Sequence, residues 1–210
     1  MPQPAVFLDR DDTLIPCNAI TPHGDLGDPD LVQLLPGARD ACARLKDAGY
    51  ALVVFTNQGG VARGRYPTTA VEACHERLNH LLGGLIDTFR YCPYHPSGTL
   101  PDFTREHPWR KPQPGMIRDA AQALDIDLAR SWAIGDKPRD CQAAKNAGPI
   151  TTILISDLWT SPDREGAGSS GRAATSERAA TVRERDKGID HLAPDIAAAA
   201  EIVLSHPSSS

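Results

Sequence analysis

The feature that most constrains this chain is an alternation of short apolar runs with helix-length segments, each run ending in polar residues. Ala5-Val6-Phe7-Leu8 is the first run, a predicted buried strand that ends in carboxylates. Pro36-Gly37 then opens a helix in which Ala38, Cys42, Leu45 and Ala48 fall at helical spacing, with Gly49 as its stop. Ala51 to Phe55 is the next strand, ending at Thr56-Asn57-Gln58. A second helix from about Pro67 carries Val71, Cys74, Leu78, Leu81 and Leu85 on one face. A weaker strand ends near Tyr91-Cys92, and a helix from about Pro114 carries Ile117, Ala120, Ala121 and Leu124. Trp132-Ala133-Ile134 leads into Gly135-Asp136, another helix runs to Gly148, and Ile150 to Ile155 reads as the last strand.

Strands and helices alternating at this spacing predict a doubly wound α/β domain, its parallel sheet covered on both faces. Open sheets of this kind bind ligands at the carboxyl edge of the strands. Asp9, Asp11, Thr56, Lys111 and Asp136 all follow predicted strands, so they can converge although they are far apart in sequence.

A length of 210 residues fits one domain, taken as 1–205, with enough chain to bury a sizeable core. Residues 160–188 are rich in Ser, Gly, Ala, Arg and Glu without apolar periodicity, which predicts a disordered insertion. About Pro194 to Leu204 reads as a closing helix, followed by frayed Ser-rich residues. A formal net charge of -5 argues against a nucleic-acid surface. No apolar run reaches the length of a membrane span, and the N-terminus has no basic stretch leading into an apolar one. The five cysteines are scattered without a disulfide framework. A cytoplasmic monomer acting on a small molecule is the expectation, with neither nucleic acid nor membrane as partner.

The strongest local signal is Phe7-Leu8-Asp9-Arg10-Asp11-Asp12-Thr13. Carboxylates this close disfavour joint ionisation, and a hard cation such as Mg²⁺ relieves the repulsion. Taken singly, each polar residue also has a plain reading. The acidic run could be a solvated turn, Thr56 a cap, Lys111 a surface lysine and Asp136 the N-cap of the following helix. Their positions at successive strand ends set those readings aside.

In this order the motifs resemble those of haloacid dehalogenase-like (HAD) superfamily phosphatases. Asp9, Asp11 and Thr13 match the first motif, Thr56 the second, Lys111 the lysine, and Gly135-Asp136-Lys137 with Asp140 the last acidic motif. The resemblance covers residues 5 to about 155. It implies Mg²⁺-dependent phosphomonoester hydrolysis through a phospho-aspartate on Asp9, with Asp11 as general acid and base. It also implies that Asp9, Asp136 and the backbone carbonyl of Asp11 ligate Mg²⁺, while Thr56 and Lys111 hold the phosphoryl oxygens. Lys137 and Asp140 are implied as supporting residues.

The gaps before Pro36 and between Cys92 and Lys111 are too short for a cap domain. Among capless members, the chain is most similar to the D-glycero-D-manno-heptose 1,7-bisphosphate phosphatases, with histidinol-phosphate phosphatases nearby. The matching stretches are Phe7 to Asp11, Phe55 to Gln58, Val61 to Gly64, and Arg110-Lys111-Pro112-Gln113-Pro114-Gly115-Met116. The resemblance implies a phosphorylated sugar as substrate, contacted by Asn57, Gln58, Arg110 and Lys111. The rival expectations are histidinol-phosphate hydrolysis and a non-catalytic protein of the same fold that binds phosphate ligands.

Three positions depart from the pattern. Asp12 stands where the family has Gly, placing an added charge beside the nucleophile. The family's zinc loop reads Cys-x-His and then Cys-x-Cys; here it is Cys92-Pro93-Tyr94-His95 and His107-Pro108-Trp109. Tyr94 and Trp109 cannot replace thiolate or imidazole, so the expectation is a zinc-free loop held by their packing. An incomplete zinc site of Cys92, His95 and His107 is the alternative. The stretch from Ile15 to Asp30 matches no substrate-contacting segment of the family.

Overall fold

The computed structural model describes residues 2–21, 24–156 and 188–206. Its parallel strands are β1 (Ala5–Leu8), β2 (Ala51–Asn57), β3 (Thr88–Cys92), β4 (Trp132–Gly135), β5 (Thr151–Ile155) and β6 (His191–Ala193). They lie in the order β3-β2-β1-β4-β5-β6. β1 therefore pairs with both β2 and β4, and the winding direction reverses between β1 and β4. That reversal opens a crevice at the carboxyl ends of the two strands, as in other doubly wound sheets.

The helices are α1 (Ala38–Asp47), α2 (Thr68–Leu82), α3 (Gly115–Leu124), α4 (Pro138–Ala147) and α5 (Ile196–Ser205). The two-residue period of a strand divides the core between the sheet faces. Val6, Leu8, Leu52, Val54 and Ile134 pack with Cys42 and Leu45 of α1, Leu78 of α2 and Val203 of α5. Ala5, Phe7, Val53, Phe55 and Ala133 face the other way, against Met116 and Ile117 of α3 and Ala143 and Ala144 of α4. Helices on both faces explain why the strands read as continuous apolar runs. Among the described residues, the connection from β1 to α1 and the one from β3 to α3 hold only short 3₁₀ turns, Pro29–Leu31 and Pro101–Phe103, and no cap domain.

Two expectations need correction. Leu85 lies beyond α2, because Gly83 and Gly84 both take positive φ (83° and 79°) and the Gly83 and Gly84 N–H groups return to His80 and Asn79 carbonyls. Left-handed residues of this kind end a helix at little steric cost when they are glycine. β5 is also not the last strand. β6, only three residues long, adds at the sheet edge, where the Asp190 carboxylate accepts the Thr152 N–H at 2.8 Å and pairs with Lys145 at 2.5 Å. The N-cap of α4 is Lys137, in agreement with setting aside the cap reading of Asp136, whose side chain lines the crevice. Apart from Gly188, the expected insertion at 160–188 lies outside the described residues, and so do residues 207–210.

Candidate active site

β1 delivers the first acidic residues. The Asp9 N–H donates to the Ile134 carbonyl at 2.9 Å, so the strand end stays joined to β4 where the carboxylates begin. Alternation then sends Asp9 and Asp11 toward the crevice and Arg10 inward. Arg10 is fully buried, an outcome that requires paired charge. Its Nε donates to Asp11 Oδ1 at 2.9 Å, and its Nη2 donates to the Leu26 carbonyl at 2.7 Å and to Gln58 Oε1 at 2.9 Å.

Gln58 extends this grip. Its Nε2 donates to Asp11 Oδ2 at 2.8 Å and to Thr56 Oγ1 at 3.0 Å, while its Oε1 also accepts the Tyr66 hydroxyl at 3.1 Å. Expected at the substrate, Gln58 is instead fully buried, with its amide committed to orienting Asp11 and Thr56. Burial raises the Asp11 pKa, and the Asp9 charge adds to it, although Arg10 opposes both. A carboxyl held in this way can keep a proton to give.

Lys111 arrives from the loop before α3 and is 3% exposed, which removes the surface-lysine reading. Its ammonium lies 2.7 Å from Asp9 Oδ1, 2.7 Å from Asp140 Oδ1 and 3.0 Å from the Phe55 carbonyl oxygen. Burial works against its charge, yet Asp140 and Asp9 prevail and hold the ammonium pKa above its ordinary value. Asn57 fixes the lysine's backbone: its Oδ1 accepts the Lys111 N–H at 3.0 Å, and its Nδ2 donates to the Lys111 carbonyl at 3.2 Å. Asn57 and Thr56 both line the crevice.

β4 supplies the remaining acids. Asp140, at the third position of α4, accepts the Lys137 N–H at 2.9 Å and is almost fully buried. Its side chain packs so closely over Gly135 that a β-carbon there would sit 2.5 Å from the Asp140 Cβ. Asp136 pairs with Lys137 at the edge of the crevice. Asp9, Asp136 and Asp140 each present one carboxylate oxygen within 4.8 Å of the others, and among the described residues they form the one acidic or His/Cys set able to hold a metal ion. The donors are all hard oxygens, which suits Mg²⁺. Asp11 lies outside this set of side chains.

Arg110 sits on the rim rather than against the nucleophile. Its Nη1 donates to the Tyr94 carbonyl at 3.1 Å, and Arg63 and His95 gather with it over Gly59, Arg63 Nη2 lying 2.8 Å from His95 Nε2. The loop below is built by aromatic packing: Tyr94 stacks on His107 with ring centres 4.2 Å apart, and Trp109 meets His107 edge-on. The Nδ1 atoms of His95 and His107 accept backbone N–H groups from Ser97 and Trp109. Arg10 was not singled out by its sequence pattern, and neither were Asn18, Gly24 and Arg139, which also line the crevice. The one available signal was Arg10's place between two strand-end carboxylates, which alternation turns into the protein.

Burial and the nearby Asp9 charge raise the Asp136 pKa to about 7. The folded protein without metal therefore keeps a proton that the unfolded chain releases, and it should lose stability as pH rises through the range from ordinary carboxylates to about 7. A divalent cation competes with that proton. Thermal melting with and without Mg²⁺ should show a larger stabilisation above pH 7 than below it; a stabilisation independent of pH would contradict this arrangement.

Comparison with known proteins agrees with this geometry. Residues 16–148 match the family model of haloacid dehalogenase-like hydrolases. The chain is 40% identical to D-glycero-beta-D-manno-heptose-1,7-bisphosphate 7-phosphatase of Salmonella typhi, over 72% of this chain and 80% of that protein. It is 35% identical to D-glycero-D-manno-heptose-1,7-bisphosphate 7-phosphatase of Thermosynechococcus vestitus, over 98% of each. The crystal structure of D,D-heptose 1,7-bisphosphate phosphatase from B. bronchiseptica, complexed with magnesium and phosphate, superposes with a TM-score of 0.70 at 30% identity. That match covers 96% of this chain and 98% of the other. With its strand order, acidic cluster and buried lysine, the chain belongs to the haloacid dehalogenase-like hydrolase family, and within it to the phosphatases.

Proposed function

We propose that this phosphatase removes the 7-phosphate of D-glycero-D-manno-heptose 1,7-bisphosphate, using Mg²⁺ and a phospho-aspartate on Asp9. The observation that carries the reading is the meeting of Asp9, Asp136 and Asp140 with Lys111 at one sheet edge, in a chain 40% identical to a phosphatase of that name.

Asp9 Oδ1 is tied to Lys111, so its second oxygen is the one free to attack phosphorus. As the phosphorus–oxygen bond to the sugar breaks, Asp11 gives its proton to the leaving alkoxide. The Asp11 carboxylate then takes a proton from the water that attacks phosphorus, which releases phosphate and restores Asp9. Arg10 and Gln58 hold Asp11 in place for both transfers. Lys111 and Thr56 meet the phosphoryl oxygens, and Asp140 and Asn57 keep Lys111 where it is needed. Asp9, Asp136 and the Asp11 carbonyl would hold Mg²⁺, which would supply charge to balance the phosphoryl oxygens. Lys137 supports Asp136, and Arg110 serves the sugar end of the substrate, where a planar guanidinium suits a second phosphate or hydroxyls.

Zinc has no part in this scheme, because Tyr94 and Trp109 stand where the loop needs ligands; metal analysis giving one zinc per chain would contradict that. Among the described residues, no helix is long and apolar enough to cross a membrane. A single domain over 1–205, acting as a cytoplasmic monomer apart from nucleic acid, completes the reading.

Asp9→Asn should remain folded and lose nearly all turnover, since an amide is not a competent nucleophile; retained activity would refute the covalent route. Asp11→Asn should lose about 10²–10⁴-fold in kcat on alkyl phosphates, the usual worth of a general acid. Phosphate release should be compared across heptose 1,7-bisphosphate, histidinol phosphate and nucleotides. The reading predicts the highest kcat/KM for the heptose bisphosphate, and a higher value for histidinol phosphate would overturn it.

A further inference from the structure

Asp12 takes a left-handed backbone conformation, φ 57°, one that Asp tolerates better than most side chains. Asp12 lines the crevice, and the segment that follows occupies both of its carboxylate oxygens. Oδ1 accepts the N–H groups of Cys17 at 2.8 Å and Asn18 at 2.9 Å, and Oδ2 accepts the Asn18 side-chain amide. Asn18 is exposed and lines the crevice beside Asp9, Thr56 and Lys137. Gly24 closes on it from across the segment: a β-carbon there would sit 2.9 Å from Asn18 Oδ1. The far end of the same segment is tied by Arg10, whose Nη2 donates to the Leu26 carbonyl at 2.7 Å. The residues on either side of Asp11 thus fasten Cys17 and Asn18 at one point and Leu26 at another onto the turn that carries Asp11.

We propose that Asp12 is a positioning residue that fixes Asn18 as a wall of the substrate crevice, making Asn18 a contact for the sugar part of the substrate. In a phosphatase without a cap, a wall of this kind is what the sugar meets next to the transferred phosphoryl group. The proposal rests on the phosphatase reading above and extends it to recognition. It also assigns the Asp12 carboxylate a structural use, in place of an electrostatic effect on the metal.

Charge and hydrogen bonding separate in two variants. Asp12→Asn removes the charge, keeps an oxygen for the Cys17 and Asn18 N–H groups, and lets its NH2 donate to the Asn18 side-chain oxygen once that amide turns over; Asn also tolerates positive φ. Asp12→Gly accepts the backbone angle and loses every bond. The experiment uses the full-length protein with Mg²⁺ and two substrates, heptose 1,7-bisphosphate and p-nitrophenyl phosphate, which has no sugar. Asp12→Gly should raise KM for the sugar bisphosphate about tenfold, with kcat and the p-nitrophenyl phosphate constants within about twofold, the pattern of lost uniform binding. Asp12→Asn should resemble the wild type. Amide exchange over residues 14–26 should quicken in Asp12→Gly and stay unchanged in Asp12→Asn. Equal defects in both variants, equal losses on both substrates, or unchanged exchange in Asp12→Gly would overturn the proposal. A wild type active only on p-nitrophenyl phosphate would defeat the heptose reading, and the exchange comparison would still decide the role of Asp12.

Discussion

Carboxylates at the ends of β1 and β4 are crowded within 4.8 Å, and the site depends on how that repulsion is balanced. Lys111 supplies one permanent positive charge, bridging Asp9 and Asp140 at 2.7 Å each. Removing either partner of a buried pair leaves an uncompensated charge, so the lysine is a structural requirement of the site. The remaining acid, Asp136, is less enclosed and pairs with Lys137, and burial with the Asp9 charge favours its protonated form. The fold makes this crowding unavoidable. β1 and β4 are neighbours across the point where the sheet reverses direction, so whatever follows one strand meets whatever follows the other.

The same physics separates two carboxylates that stand only two residues apart. Asp9 is bound to Lys111, whereas Asp11 is gripped from behind by Arg10 and Gln58 in a buried setting that favours its protonated form. Environments that differ in this way let one turn supply both a nucleophile and an acid. The Asp9 charge adds to burial in raising the pKa of Asp11, Asp136 and Asp140 alike. The oxygens of Asp12, the fifth acid of the region, accept three donors from residues 17 and 18.

Much of this was legible in the sequence. The strands through Phe7, Val53 and Ile134 are buried on both faces, so each reads as an unbroken apolar run. The acids, Thr56 and Lys111 follow those runs in an order that a doubly wound sheet brings together. What was not legible depends on tertiary detail. β6 is three residues at an edge, stabilised by Asp190 rather than by its own apolarity. Leu85 keeps helical spacing, but the glycines before it redirect the chain. Gln58 follows a strand as a ligand-binding residue would, and only the position of Arg10 explains why it turns inward. Arg10 itself looked like a spacer between two aspartates.

The claim on which the rest depends is that Asp9 takes the phosphoryl group while sharing one cation with Asp136. A crystal structure of the protein with Mg²⁺ and beryllium trifluoride, a mimic of a phosphoryl group on a carboxylate, tests it most directly. The account predicts beryllium bonded to an Asp9 oxygen, Lys111 on its fluorides, and Mg²⁺ touching both Asp9 and Asp136. Beryllium on another residue, or a metal that leaves Asp136 unligated, would contradict it.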